Sequence, residues 1–181
     1  MEHTFIEFCK NGDINSIRTL INAHRINIHM NNEIGFRCAC YYGHLHIVEY
    51  LTNLYKINPN YNIINIHADN ESGFGSVCFN WRIDIVEYLI NLHKENTDYM
   101  KINIHVNDEY IFRRAYIHGY IHIMKYLINL YKNNVLHLDC SIINIHKCYE
   151  RLSWLDLTHV AKYLLSIGGY THNYHDSNIL L

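Results

Sequence analysis

The sequence predicts an all-α protein built as a solenoid of stacked helix-turn-helix pairs joined by hairpin-like linkers. The motif Ile-Asn-Ile-His occurs four times, beginning at residues 26, 64, 102 and 143, so that successive copies lie 38, 38 and 41 residues apart. Self-similarity at a fixed period of about 20 to 50 residues is typical of repeat arrays. Apolar residues at helical spacing recur with the same period. Each unit is therefore expected to bury its apolar face by stacking on its neighbours.

The second repeat shows the predicted unit most clearly. A short apolar segment runs from Phe36 to Tyr42 and ends at Gly43, a residue that can adopt a positive φ and close a helix. A second apolar stripe follows at helical spacing: Leu45, Val48, Leu51 and Tyr55. This spacing indicates one face of a longer helix. The unit is a short helix, a tight turn and a longer helix.

The same columns extend through the other units. A shift of 38 residues gives Val86, Leu89 and Leu92 in the third repeat, and Met124, Leu127 and Leu130 in the fourth. The first unit lacks its own motif and the last is irregular, as expected of capping units. We predict a single domain over 1–181, divided into an N-terminal cap (1–25), three repeats (26–63, 64–101 and 102–142) and a degenerate C-terminal cap with a tail (143–181).

Charge and composition limit the classes of partner that the sequence predicts. The formal net charge of -2 provides no basic field for nucleic acid, and no polybasic stripe suits a membrane surface. The N-terminus lacks the features of a signal peptide, and no apolar run approaches 18 residues. The sequence predicts a monomeric intracellular protein that binds neither nucleic acid nor membrane.

Cysteine and histidine also fall into columns. Cys9, Cys40 and Cys78 share one position per unit and have no Cys-x-x-Cys spacing, which predicts small, buried, reduced side chains. The histidine columns are His29, His67, His105 and His146, and then His46, His122 and His159, with Asp84 in the gap. Stacked helices lie about 8 to 10 Å apart, too far for one column to share a metal ion. We expect imidazole hydrogen bonds that fix the linkers, and no metal or cofactor.

The sequence provides little for catalysis. It contains no nucleophile elbow, no phosphate-binding glycine loop and no His-Glu-x-x-His. The neighbouring carboxylates Asp108 and Glu109 fall in a predicted turn, where solvation explains them. We predict a protein that is not an enzyme.

The repeat resembles the ankyrin repeat family. The segment from Gly43 to Leu51 reads Gly-His-Leu-x-Ile-Val-x-x-Leu, which is similar to the family's Gly-His-x-x-Ile-Val-x-x-Leu. Phe36-Arg37-x-Ala39-Cys40 stands where the family has Leu-His-x-Ala-Ala. The linker Ile64 to Asn70, the Tyr-Leu-rich second helices and the Ile/Asn/Tyr bias more narrowly resemble ankyrin proteins of giant DNA viruses of amoebae, of the mimivirus kind.

Two departures from the family pattern are expected to affect the fold. The Thr-Pro-Leu-His opening is missing, and Gly35, Gly73 and Ile111 stand near the position of its proline. The third repeat has Asn80-Trp81-Arg82 in place of the Gly-His turn. A tryptophan in the left-handed region costs about 1 to 2 kcal/mol. We therefore expect that Asn80 adopts the positive φ or that the turn is remodelled.

The resemblance implies a protein-binding scaffold that uses one face of the short helices. Tyrosine and arginine, which are enriched in interface hot spots, recur on this face. The candidate partner-binding residues are Arg37, Tyr41, Tyr42, Phe79, Asn80, Arg113, Arg114, Ile117 and His118. For Tyr41 and Phe79, partial burial between repeats is an equal alternative. The predicted function is a viral adaptor directed at a host protein in the host cytoplasm, with nucleus and virion left open. The alternative is a structural or self-assembly role in a virion or viral factory.

An acidic column recurs at the predicted linker tips. It consists of Glu33, Glu71, Glu109 and Glu150. We interpret it as a solvated edge of the solenoid, with the steering of a basic partner as the alternative.

Overall fold

The computed structural model describes residues 1–23, 26–100 and 102–132. The predictions for the C-terminal cap, including those for His146, Glu150 and His159, lie outside these residues, as does the boundary at 142. The described part contains eight helices and no strand. The helices are α1 (Glu2–Asn11), α2 (Ile14–Asn22), α3 (Met30–Tyr42), α4 (Leu45–Ile57), α5 (Ala68–Phe79), α6 (Ile83–Glu95), α7 (Val106–Ile117) and α8 (Ile121–Lys132).

The helices pack in pairs, and the pairs stack. In each unit the first helix contacts the second, as α1 contacts α2 and α3 contacts α4. The first helices also contact one another in chain order, so that α3 lies between α1 and α5, and α5 contacts α7. The prediction of an all-α fold is confirmed for the described residues. No helix among them is both long and apolar enough to cross a bilayer.

The core is built from one set of side chains per unit. Four fully buried phenylalanines recur at the same position of the first helices: Phe5, Phe36, Phe74 and Phe112. The cysteine column is buried, and its thiols are free, as predicted: Cys9, Cys40 and Cys78. The motif isoleucines are buried in all three described copies: Ile26, Ile28, Ile64, Ile66, Ile102 and Ile104. The motif therefore fastens each linker to the core.

The linker tips form left-handed turns. Asn31, Asn32 and Glu33 have φ values of 48°, 52° and 60°, and the equivalent residues 69–71 have φ values of 56°, 52° and 59°. Asn and Asp tolerate this region, whereas Glu does so only at a cost of about 1 to 2 kcal/mol. Contacts made by the glutamates must offset this strain.

The turn within each helix pair uses one left-handed residue. Gly12, Gly43 and Gly119 have φ values of 77°, 81° and 67°, and Trp81 has a φ of 58° at the equivalent position of the third repeat. The next residue, Arg82, donates its backbone N–H to the carbonyl of Val77 at 2.9 Å, which is the Schellman pattern. Both expectations for this turn are wrong, because Asn80 has a φ of -96° and the turn keeps its form.

Glycines replace the missing proline because a ring from the preceding unit packs there. A Cβ on Gly35 would lie 2.4 Å from Cε1 of Phe5, and a Cβ on Gly73 would lie 2.9 Å from Cε1 of Phe36. Gly75 is different, because the atoms nearest to its Cβ would be 3.7 and 3.9 Å away, which is ordinary contact. The first two glycines permit close stacking, and the third leaves room for a methyl group.

Two glycine substitutions are expected to change stability in opposite directions. Gly35→Ala will lower the free energy of unfolding by about 1 to 3 kcal/mol, because the buried ring of Phe5 must move. Gly75→Ala will raise it by about 0.5 to 1 kcal/mol, because alanine restricts the unfolded chain and favours the helix. Urea denaturation followed by circular dichroism measures both. Equal effects of the two substitutions would contradict the packing described here.

Candidate functional site

Two of the predicted partner-binding residues lie open to solvent. Tyr41 and Tyr42 end α3, and 53% and 45% of their surfaces are exposed. Their ring centroids are 5.0 Å apart in an edge contact. Burial between repeats, the alternative weighed for Tyr41, is therefore wrong, and the pair presents aromatic surface at the end of a first helix.

Arg37 is held within the fold, contrary to its predicted place on an open surface. Its Nη1 donates to Oδ2 of Asp69 at 2.5 Å and to Oγ of Ser72 at 3.3 Å, both in the next unit. Its Nε and Nη2 donate to the carbonyls of Asn32 and Asn31 at 2.8 and 3.0 Å. The guanidinium thus caps the left-handed turn of its own unit and ties it to the next turn. Its role is structural.

Phe79 and Asn80 are also partly committed to the fold. The Phe79 ring is partly buried and makes an edge contact with Tyr110, at 5.8 Å between centroids. The guanidinium carbon of Arg114 lies 5.6 Å from the Phe79 centroid, in cation–π geometry. Nδ2 of Asn80 donates to the carbonyl of Ser76 at 2.9 Å and so caps α5. Partial burial is therefore correct for Phe79.

The fourth repeat places two predicted residues on the surface. Arg114 and His118 are exposed, whereas Arg113 is only half-buried. The His118 ring stacks on Tyr120 at 5.5 Å, with 23° between the ring planes. The side chain of Ile117 lies outside the described residues.

Four aromatic residues that the sequence did not select complete this surface: Trp81, Tyr110, Tyr120 and His122. Trp81 is 44% exposed and contacts two rings of the next unit, Tyr120 at 6.3 Å and His122 at 5.4 Å. The sequence identified Trp81 only as an unusual turn residue. The sequence did contain a signal for this residue, because Trp81 occupies a position where the other described units have glycine.

These contacts define a junction surface between the third and fourth repeats. It consists of Phe79, Trp81, Arg82, Tyr110, Arg114, His118, Tyr120 and His122. Arg82 joins it to the tyrosine pair, since Nη2 donates to the carbonyl of Tyr42 at 3.4 Å. The side chain of Arg82 lies across Gly43, where a Cβ would be 2.2 Å from Nε.

The acidic column is buried where the structure describes it. Glu33 is 5% exposed, and its Oε1 lies 2.9 Å from Nδ1 of His29 and accepts the backbone N–H of Asn65 at 3.2 Å. Asn65 belongs to the Ile-Asn-Ile-His motif of the next unit. The carboxylate therefore links two units, and we call this arrangement a latch.

A second latch repeats the first. Glu71 is 3% exposed, its Oε1 lies 2.6 Å from Nδ1 of His67, and it accepts the backbone N–H of Asn103 at 3.0 Å. The prediction of a solvated edge is wrong for Glu33 and Glu71, because each carboxylate is buried and accepts hydrogen bonds from its own linker and from the next unit. The side chain of Glu109 and the whole of Glu150 lie outside the described residues.

The histidines act as the sequence predicted at these two linkers. His29 and His67 bond their own linkers through Nδ1. Each latch also contains two buried polar atoms that have no hydrogen-bond partner among the described residues: Nε2 of the histidine and Oε2 of the glutamate. Each latch therefore includes a desolvation cost, and its stability depends on the contacts of Oε1.

Burial also sets the state of the thiols. It raises the pKa of Cys9 to about 12 and raises the pKa of Cys40 and Cys78 as well. These thiols are neutral near pH 7, whereas the thiolate is the nucleophile and the metal ligand. Within the described ranges, no three His, Cys, Asp or Glu side chains lie close enough to hold a metal ion.

No protein-family model, curated protein or solved structure matches the chain.

Proposed function

We propose that this chain is a non-enzymatic scaffold of the ankyrin-repeat type that binds another protein. We further propose that it is a viral protein directed at a host protein in the host cytoplasm. The stacking of the first helices and the Gly-His-Leu-x-Ile-Val-x-x-Leu segment support the repeat type. The left-handed tips join one helix pair to the next.

The observation that carries the proposal is the exposure of large aromatic side chains at the ends of successive first helices. Tyr41 and Tyr42 end the first helix of the second unit, and Trp81 follows the first helix of the third. Tyrosine, tryptophan and arginine dominate the energetics of protein interfaces, because they bury a large area for few rotatable bonds.

The latches and the hydrogen bonds of Arg37 favour this function. Glu33 and Glu71 each bond the backbone of the next unit, and Arg37 bonds Asp69 across the same junction. These contacts hold the units in one register, so that the aromatic residues sit on rigid elements. A preorganised surface loses less conformational entropy on binding.

The direct test is capture from host-cell lysate with the purified chain as bait. Wild type is expected to retain one protein at a fixed ratio. The double variant Tyr41→Ala/Tyr42→Ala is expected to lose it and to keep its helical circular dichroism, because both rings are exposed. The control is Ile57→Ala, which removes an exposed apolar side chain from the end of α4, away from the first helices. It is expected to capture the partner normally.

Two outcomes contradict the proposal. Wild type that captures nothing above empty resin excludes a binding scaffold, and capture unaffected by the double variant excludes this surface. Light scattering separates the alternative role, because a self-assembling protein grows in mass with concentration while a scaffold for another protein stays monomeric.

A further inference from the structure

We propose that the junction surface binds an acidic segment of the partner protein, with an apolar or aromatic side chain of that segment against Trp81. This inference rests on the proposed function and adds the chemistry of the partner.

The junction surface has basic side chains and no acidic ones. Residues 79–83 and 110–122 contain three arginines and two histidines, and they contain no Asp or Glu, although the whole chain has a net charge of -2. The acids nearest in sequence are Asp84, which is exposed, and Asp108 and Glu109, which directly precede Tyr110 in α7. Glu87 on α6 accepts the Tyr126 hydroxyl at 3.1 Å. The junction surface itself carries two arginines and no carboxylate, and it therefore complements carboxylates.

Two arginines of the junction surface, Arg82 and Arg114, have donors available for a partner. Arg114 lies over the Phe79 ring and makes no hydrogen bond to a described residue, and Arg82 makes one long bond to Tyr42. A guanidinium above the face of an aromatic ring keeps N–H groups that can donate to another molecule. Such a group suits bidentate binding of a carboxylate.

Trp81 provides an exposed apolar ring beside these arginines. Three of the four described turns place glycine at this left-handed position, and the third repeat places tryptophan there with a φ of 58°. Glycine would form the turn without strain, and the indole remains 44% exposed despite its contacts with Tyr120 and His122. Strained residues of this kind cluster at binding sites. The indole therefore serves recognition, and it supplies the apolar contact beside the arginines.

The experiment uses two synthetic probes, a copolymer of glutamate and tyrosine and a copolymer of lysine and tyrosine. Affinity for immobilised full-length protein is measured at low and at physiological salt. Wild type is expected to bind the glutamate copolymer at least about tenfold more tightly than the lysine copolymer, and more weakly as salt rises. Arg114→Glu is expected to weaken this binding by about tenfold or more. Trp81→Gly is expected to weaken it without lowering the thermal midpoint.

The matched control is Arg18→Glu. Arg18 is exposed on α2, and its guanidinium lies 5.3 Å from the Tyr50 centroid, so it has the same cation–π setting as Arg114 at a different place. The control is expected to bind like wild type, and Arg82→Glu replaces Arg114→Glu if the latter loses its helical signal. Equal affinity for both copolymers, absence of binding, or an equal loss in Arg18→Glu overturns the proposal. If lysate capture still depends on Tyr41 and Tyr42 while the copolymers fail, the acidic partner is wrong and the scaffold stands.

Discussion

Replacing Glu71 with alanine will lower the free energy of unfolding by about 3 to 5 kcal/mol. The carboxylate is 3% exposed and meets Nδ1 of His67 and the backbone N–H of Asn103 through one oxygen. Alanine leaves both of these partly buried groups without their acceptor, and a buried unsatisfied polar group costs about 1 to 3 kcal/mol. The left-handed φ of residue 71 also remains, without the contacts that offset its strain.

Glu71→Gln will cost less, because a carbonyl oxygen can still accept one of the two hydrogen bonds. Urea denaturation at pH 7 followed by circular dichroism measures both variants. The control is Glu49→Ala, which removes an exposed carboxylate from α4 and is expected to change stability by no more than about 0.5 kcal/mol. A loss for Glu71→Ala no larger than that of Glu49→Ala would show that the latch contributes nothing to the fold.

A double-mutant cycle of Glu71 with His67 isolates the side-chain part of the latch. The expected coupling is about 0.5 to 3 kcal/mol, because the two residues touch. The rest of the stability lost in Glu71→Ala is then assigned to the hydrogen bond from the Asn103 backbone N–H, which links two units.

The period and the core could be predicted from the sequence because they depend on spacing alone. Val48 and Leu51 follow the helical repeat, and Gly43 ends the short helix, so the helix pair needs no knowledge of its neighbours. The buried thiols could be predicted for the same reason, since one cysteine per unit at one position must face the same surroundings.

The glutamates could not be placed, because their position depends on the neighbouring unit. A polar tip such as Asn31-Asn32-Glu33 suggests solvent, whereas the left-handed turn directs the Glu33 carboxylate onto the backbone of Asn65. Only the stacked units bring that donor within reach. Tertiary contacts override the local preference of glutamate here.

The candidate site also contains residues placed by their own unit and residues placed by contacts with the next unit. Tyr41 and Tyr42 end a helix, and the sequence placed both on the candidate surface but left partial burial of Tyr41 as an equal alternative, which their exposure now decides. Arg37 bonds Asp69 of the next unit, and Trp81 contacts rings of the next unit. Contacts of that kind are fixed by the geometry of stacking, which the spacing of residues does not contain.

Alkaline pH will destabilise the protein, and the three buried thiols will account for a large part of the effect. Burial raises the pKa of Cys9 from its ordinary value of 9.0 to about 12, and it raises the pKa of Cys40 and Cys78 in the same direction. Below pH 9 both the folded and the unfolded chain keep these protons, so the thiols add no pH dependence. Above pH 9 the unfolded chain releases them and the folded chain does not.

The slope follows from proton linkage. Each thiol favours the unfolded state by about 1.4 kcal/mol for each pH unit above its unfolded pKa, until the pH reaches its folded pKa. For Cys9 this window runs from about pH 9 to about pH 12. At about pH 10.5 the loss is about 2 kcal/mol for one thiol and about 6 kcal/mol for three.

The measurement compares wild type with the triple variant Cys9→Ala/Cys40→Ala/Cys78→Ala under reducing conditions, by urea denaturation between pH 7 and about pH 10.5. Between these limits wild type is expected to lose about 6 kcal/mol more than the variant. Burial also raises the pKa of Tyr99 and Tyr126, but both proteins contain these groups, so their effect cancels in the difference. Parallel pH profiles for the two proteins would mean that the folded chain ionises its thiols as readily as the unfolded chain. The three cysteines would then not be buried away from water in the core.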